Sequence, residues 1–82
     1  MDIYDFMELS KNDRAEAVWQ GKFLGDRIDG KYRVQLYSLG SFHVEVYYNQ
    51  VSNEIARFHP FKFLHKLVPY LQQIDLETPD QQ

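Results

Sequence analysis

Residues Lys31 to Tyr48, KYRVQLYSLGSFHVEVYY, alternate apolar and polar side chains on both sides of a single turn. A β-strand sends successive side chains to opposite faces, so this pattern predicts a hairpin with one buried and one wet face. If Tyr32, Val34 and Leu36 share the buried face with Phe42, Val44, Val46 and Tyr48, directly opposed residue numbers must sum to an even value. A three-residue loop Ser38-Leu39-Gly40 satisfies this. It pairs Leu36 with Phe42 and Val34 with Val44, and it sets Gly40 at a left-handed position.

Two further turns extend the sheet. Asp29-Gly30 between extended runs predicts a two-residue hairpin that pairs Ile28 with Lys31 and Phe23 with Leu36. The polar stretch from Asn49 to Asn53 predicts a third turn, with Asn53 left-handed, Tyr48 opposite Glu54 and Val46 opposite Ala56. Before the strands, Ile3, Tyr4, Phe6, Met7 and Leu9 form an apolar lead-in. Ser10 is a candidate N-cap with Asp13 in the first turn. Ala15, Val18 and Trp19 then fall on one helical face, and Gly21 stands where a left-handed residue would end the helix. After Pro60 the period becomes 3.6, with Leu64, Leu67, Val68, Leu71 and Ile74 in one stripe. Pro69 either kinks that helix or starts a second one.

The expected architecture is α+β in two layers: a four-stranded antiparallel meander with N-terminal and C-terminal helices packed on one face, in the order α-β-β-β-β-α. Residues 1–76 make the single domain, and 77–82 form a polar, frayed tail. A chain of 82 residues buries only about two-thirds of its unfolded surface, so the 16% aromatic content matters for filling a small core.

Composition removes several classes of function. Cysteine is absent, which excludes disulfides, thiolate catalysis and cysteine-bound zinc. The net charge is −3 with the cations scattered, unlike the basic surface that nucleic acid requires. No run approaches the roughly 18 apolar residues of a membrane span. The opening MDIYDFMELS lacks the basic start and apolar run of a signal peptide, and the expected setting is cytoplasmic. No G-x-S-x-G, G-x-G-x-x-G or P-loop pattern is present, so neither catalytic residues nor a cofactor are assigned.

The expected registers also specify the open face. One row reads Asp26, Arg33, Glu45, Arg57, with charge alternating at every step. A second brings His43 opposite His59, with Glu45 or His65 nearby, the residue types of a small metal or ligand site. A third contains Ile28, Tyr47 and Ile55, with Tyr37 at the far end. Apolar residues on a solvent face mark a contact surface. The candidate interface is therefore Ile28, Tyr37, Tyr47 and Ile55, with Arg33, Glu45 and Arg57 fixing register. The expected partner is another protein or a second copy of the chain, with no enzymatic activity. The alternative is a metal- or ligand-binding domain around His43, His59 and Glu45.

The segments RAEAVWQGKFLGDR, YRVQLYSLGSFHVEVYYN and LVPYLQQIDL together resemble a group of small, uncharacterised single-domain proteins of Bacteroidetes-type bacteria. The shared features are a helix ending in Trp, a YSLG-like turn, a VEV-Y-Y strand and a PYL-x-QI helix. The resemblance implies a common fold and carries over no activity or site residue.

Overall fold

The computed structural model describes residues 1–62, 69–71 and 73. Two short helices, α1 (Ile3–Met7) and α2 (Lys11–Trp19), precede four strands, β1 (Lys22–Asp29), β2 (Tyr32–Ser38), β3 (His43–Asn49) and β4 (Glu54–Phe61). The strands form one antiparallel sheet in chain order. The molecule is therefore a small α+β domain built on the expected meander. Among the described residues no helix is long and apolar enough to cross a membrane.

The apolar lead-in is itself a helix. Asp2 caps it by accepting from the Asp5 N–H at 2.9 Å, and its own N–H donates to the Asp5 carboxylate at 3.1 Å. These reciprocal bonds satisfy two groups that a helix start leaves orphaned. Ser10 caps α2 as expected, accepting from the Asp13 N–H at 3.1 Å. Two expectations for α2 fail. Gly21 does not have positive φ. Trp19 is 48% exposed, while Val18 is fully buried with Ala17 packed beside it.

All three hairpin registers differ from expectation. Asp29 pairs with Tyr32, so Gly30-Lys31 forms the first turn. Only Gly30 has positive φ there, at +61°, which suits a turn with glycine at its first central position. The second loop has four residues, 39–42, since Ser38 pairs with His43. Its cause is Phe42. That ring leaves the ladder and packs 5.7 Å from Phe6 under α1, while the Leu39 N–H donates to the Phe42 carbonyl at 2.9 Å. In β4 the pairing slides by one at the turn, where Tyr48 meets Ile55, and by two beyond a register shift between Tyr47 and Tyr48, so Val46 meets Phe58 and Val44 meets Pro60. Asn53 does adopt positive φ, 61°.

The second loop has the largest consequence. It sets Leu36 opposite Glu45 and Val34 opposite Tyr47. Alternation then sends Val34 and Leu36 to one face and Val44 and Val46 to the other. Both sets are fully buried, because the sheet is covered on both sides. Ile3, Phe6, Val18 and Phe42 cover Val44 and Val46, while Tyr70 and Phe61 cluster with Leu36.

Tyr70 thus lies on the face opposite α1 and α2. Most of the expected C-terminal stripe, and the 77–82 tail, fall outside the described residues. Gln73 holds the outer edge of β1 through two bonds. Its carboxamide accepts from the Asp26 N–H at 2.8 Å and donates to the Asp26 carbonyl at 2.6 Å. A Cβ on Gly25 would overlap that carboxamide, so a glycine is required for the approach.

Candidate functional site

The face carrying Leu36 also carries Gly25, Arg27, Glu45, Tyr47, Arg57 and His59 by the ladder registers. Glu45 is only 4% exposed, yet it is fully partnered. Arg27 Nη2 donates to its Oε2 at 3.1 Å, and the Tyr70 hydroxyl donates to the same oxygen at 2.8 Å. His59 Nδ1 lies 3.1 Å from Oε1. Arg27 also donates through Nε to the Tyr70 hydroxyl at 3.2 Å and through Nη2 to the Tyr47 hydroxyl at 3.3 Å. The Arg57 guanidinium lies 4.1 Å from the centre of the Tyr47 ring.

Burial alone would push the Glu45 carboxyl up. Hydrogen bonds from His59, Tyr70 and Arg27 outweigh it and hold the group below its ordinary value. Burial likewise opposes the charge on Arg27, but the bonds to Glu45 and Tyr70 raise its pKa. Burial and the bond to Glu45 both push the Tyr70 phenol up. Chemically the cluster is closed. Both Glu45 oxygens are engaged, and the network ties β1, β3 and β4 to the turn at Tyr70.

The helix-bearing face is different. Its rows across β1 to β4 are Ile28–Arg33–Tyr48–Ile55, Asp26–Gln35–Val46–Phe58 and Phe23–Tyr37–Val44–Pro60. The chain of α2 starts near β4, where Lys11 Nζ donates to the Ile55 carbonyl at 2.8 Å. It ends near β2, where Trp19 meets Tyr37 edge-on with ring centres 5.7 Å apart. The helices therefore cover β3 and β4, and among the described residues the β1–β2 corner is left uncovered on this face. There Phe23 is 50% exposed and Ile28 57%. Phe23 packs edge-on against Tyr37 at 5.5 Å, and Arg33 pairs with Asp26 at 3.3 Å.

The seven residues expected to share one interface are divided between two faces. Ile28, Tyr37, Ile55 and Arg33 lie on the helix-bearing face. Tyr47, Glu45 and Arg57 lie on the other, with Tyr47 and Glu45 buried. Half of the expected charge row survives as the Arg33–Asp26 pair, while Glu45 finds Arg27 instead. Ile55 packs against the core beneath α1 and α2, and Tyr37, half-buried, touches that core from its edge.

His43 does not oppose His59. His43 pairs with Phe61, and Glu45 pairs with His59. Both imidazoles stack on the Phe61 ring, at 5.6 and 5.9 Å, and burial pushes the His43 pKa down. Among the described residues no group of three or more His, Cys, Asp and Glu side chains is arranged to hold a metal ion.

Sequence reasoning missed Arg27, Tyr70, Trp19 and Phe23. Trp19 and Phe23 flank the short step Gln20-Gly21-Lys22. Rings so close to a helix–strand junction fall at the rim of a layer, which was the available signal. Arg27 and Tyr70 had none, since 43 residues separate them in the chain. Comparison of the chain with protein-family models, with curated proteins and with solved structures found no match.

Proposed function

We propose that this protein is a protein-contact module without catalytic activity, and that its contact surface is the bare β1–β2 corner: Trp19, Phe23, Ile28, Tyr37 and the Arg33–Asp26 pair. One observation carries this reading. The only tryptophan of the chain and Phe23 stand half-exposed, both braced edge-on by Tyr37. Aromatic side chains supply large contact area with few rotors to freeze. Bracing by Tyr37 lowers the ordering entropy of binding further. Arg33 and Asp26 add polar groups that fix orientation more than affinity.

The buried Glu45 cluster supports the same reading from the opposite side. Its hydrogen-bonding capacity is spent within the fold, so it serves to hold the sheet rigid behind the contact surface.

A comparison of three immobilised proteins tests the proposal: wild type, Phe23→Glu, and Tyr4→Glu as a control at an exposed α1 position. Each is exposed to a native-host lysate and the retained proteins are identified. Proteins held by wild type and Tyr4→Glu but lost from Phe23→Glu are the expected result. Identical retention by all three removes the β1–β2 corner as a contact surface.

A further inference from the structure

The nine Lys and Arg residues are spread along the chain, yet folding gathers three of them around one hollow. It has a volume of about 340 Å³, lies between the start of α2 and β4, and is lined by Leu9, Lys11, Arg14, Ala56, Arg57 and Phe58. No carboxylate belongs to that lining. Among the described residues none of these three cations forms an ion pair; the pairs there use Arg27, Arg33 and His59.

Neutral groups hold the three cations instead. Lys11 Nζ donates to the Ile55 carbonyl at 2.8 Å. Arg14 Nη2 donates to the Met7 carbonyl at 2.6 Å, and its guanidinium lies 5.7 Å from the centre of the Phe6 ring. The Arg57 guanidinium rests on the Tyr47 ring. Such contacts orient a charge without neutralising it. Arg14 shows this most sharply. It is half-buried, and its Nε is enclosed with no hydrogen-bond partner. Buried charges are ordinarily paired, and an unmet buried donor costs free energy. Helix stability does not account for the arrangement either. Lys11 opens α2, at the positive end of the helix dipole, where a cation is disfavoured and an anion favoured.

We propose that this hollow binds a small phosphate monoester, with its phosphoryl group between Lys11 and Arg14. An ammonium has three N–H groups and a guanidinium five. One on each side chain is spent on a carbonyl. With Nε enclosed, two N–H groups on Lys11 and three on Arg14 remain for a ligand. A phosphate monoester carries a charge of about −1.5 to −2 near neutral pH and presents three strong acceptor oxygens. A single carboxylate would neutralise only one of the two cations. Leu9, Ala56 and Phe58 supply an apolar wall for the organic part of the ester. The volume is at the lower end of the roughly 300–1,000 Å³ of ligand pockets, which keeps that organic part small. The ligand brings Arg14 the counter-charge that the described fold does not provide.

This site is separate from the contact surface proposed above. It lies against β4, at one edge of the sheet, whereas the β1–β2 corner is at the other. Each proposal therefore stands or falls by itself.

Titration of the ¹⁵N-labelled protein with phenyl phosphate up to about 10 mM, which registers even millimolar affinity, tests the site. Saturable shifts are expected at the backbone N–H signals of Leu9, Lys11, Arg14, Ala56 and Phe58 and at the Arg14 Nε–H signal. Phe23 and Ile28, at the opposite edge, should not move. Benzoate, with the same ring and one negative charge, should bind at least about tenfold more weakly. Inorganic phosphate, which lacks the ring, should also bind more weakly than phenyl phosphate.

Lys11→Gln and Arg14→Gln are each expected to weaken phenyl phosphate binding at least about tenfold, the scale of one lost charge-assisted hydrogen bond. Arg57→Gln should weaken it less, because that guanidinium rests against Tyr47. Lys11 is exposed, so Lys11→Gln decides the matter if Arg14→Gln does not fold. The proposal is overturned by the absence of saturable shifts, by benzoate binding as tightly as phenyl phosphate, or by undiminished binding to folded Lys11→Gln. Inorganic phosphate binding as tightly as phenyl phosphate overturns the ester as the ligand.

Discussion

The two faces of this sheet are buried by opposite means. Under α1 and α2 the filling is dry: Phe6, Val18, Phe42, Val44 and Val46 are fully buried and touch mainly other apolar groups. On the other face Leu36 and Tyr70 are equally buried, but they surround a carboxylate held by Arg27, Tyr70 and His59. A dry layer gains stability from area and tolerates small shifts in geometry. A buried charge is stable only while every partner is in place. The contrast explains how so small a chain fastens a distant segment: the hydroxyl of Tyr70 is required at one point, beside one oxygen.

The comparison breaks most completely where the dry layer is emptied. Phe6→Ala is expected to cost about 3–5 kcal/mol by chemical denaturation, because a fully buried ring leaves a cavity among Phe42, Phe58 and Val18. Glu45→Ala should cost about 3 kcal/mol, since it removes the buried carboxylate from Arg27, which keeps only the exposed Asp29 at 3.5 Å.

The same residue gives the polar face a pH signature. Glu45 has a folded pKa below its ordinary value of about 4.5. Its stabilisation is therefore complete above that value and is lost as pH falls through the folded one. Wild type should lose stability on acidification below about pH 4.5, and Glu45→Gln should lose less over the same range. An identical acid slope in both proteins would show that Glu45 is not the group responsible.

Tyr70→Phe removes only the hydroxyl, and about 1.5–2 kcal/mol is expected for a hydrogen bond to a charged group. A loss near zero would mean that the polar face is held by packing, like the dry one. The smallest effect belongs to the bare corner. Asp26→Ala, measured by chemical denaturation, should change stability by no more than about 0.5 kcal/mol, as expected for an exposed pair.

Much of this fold was legible in the chain. The strands, their order, the Ser10 cap and the left-handed Asn53 all follow from local chemistry, because turns and caps are made by residues close in sequence. The candidate site was less legible. Ile28, Tyr37 and Arg33 were found, but as members of a surface whose other half lies on the far side of the sheet. A single residue decided that. Phe42 reads as a strand residue by alternation, yet its ring lies in the loop beneath α1. Moving the strand start to His43 turns every side chain of β3 over relative to β2.

Alternation by itself determined that these segments would be strands with an inner and an outer side, since the period of two is a property of the backbone. It carried no information on whether one side or both would be covered. Only the tertiary structure decided that, because burial of Glu45 depends on Arg27, His59 and Tyr70 arriving from distant parts of the chain. No local pattern records those meetings; they follow from which faces the helices and the C-terminal turn can reach once the sheet has formed.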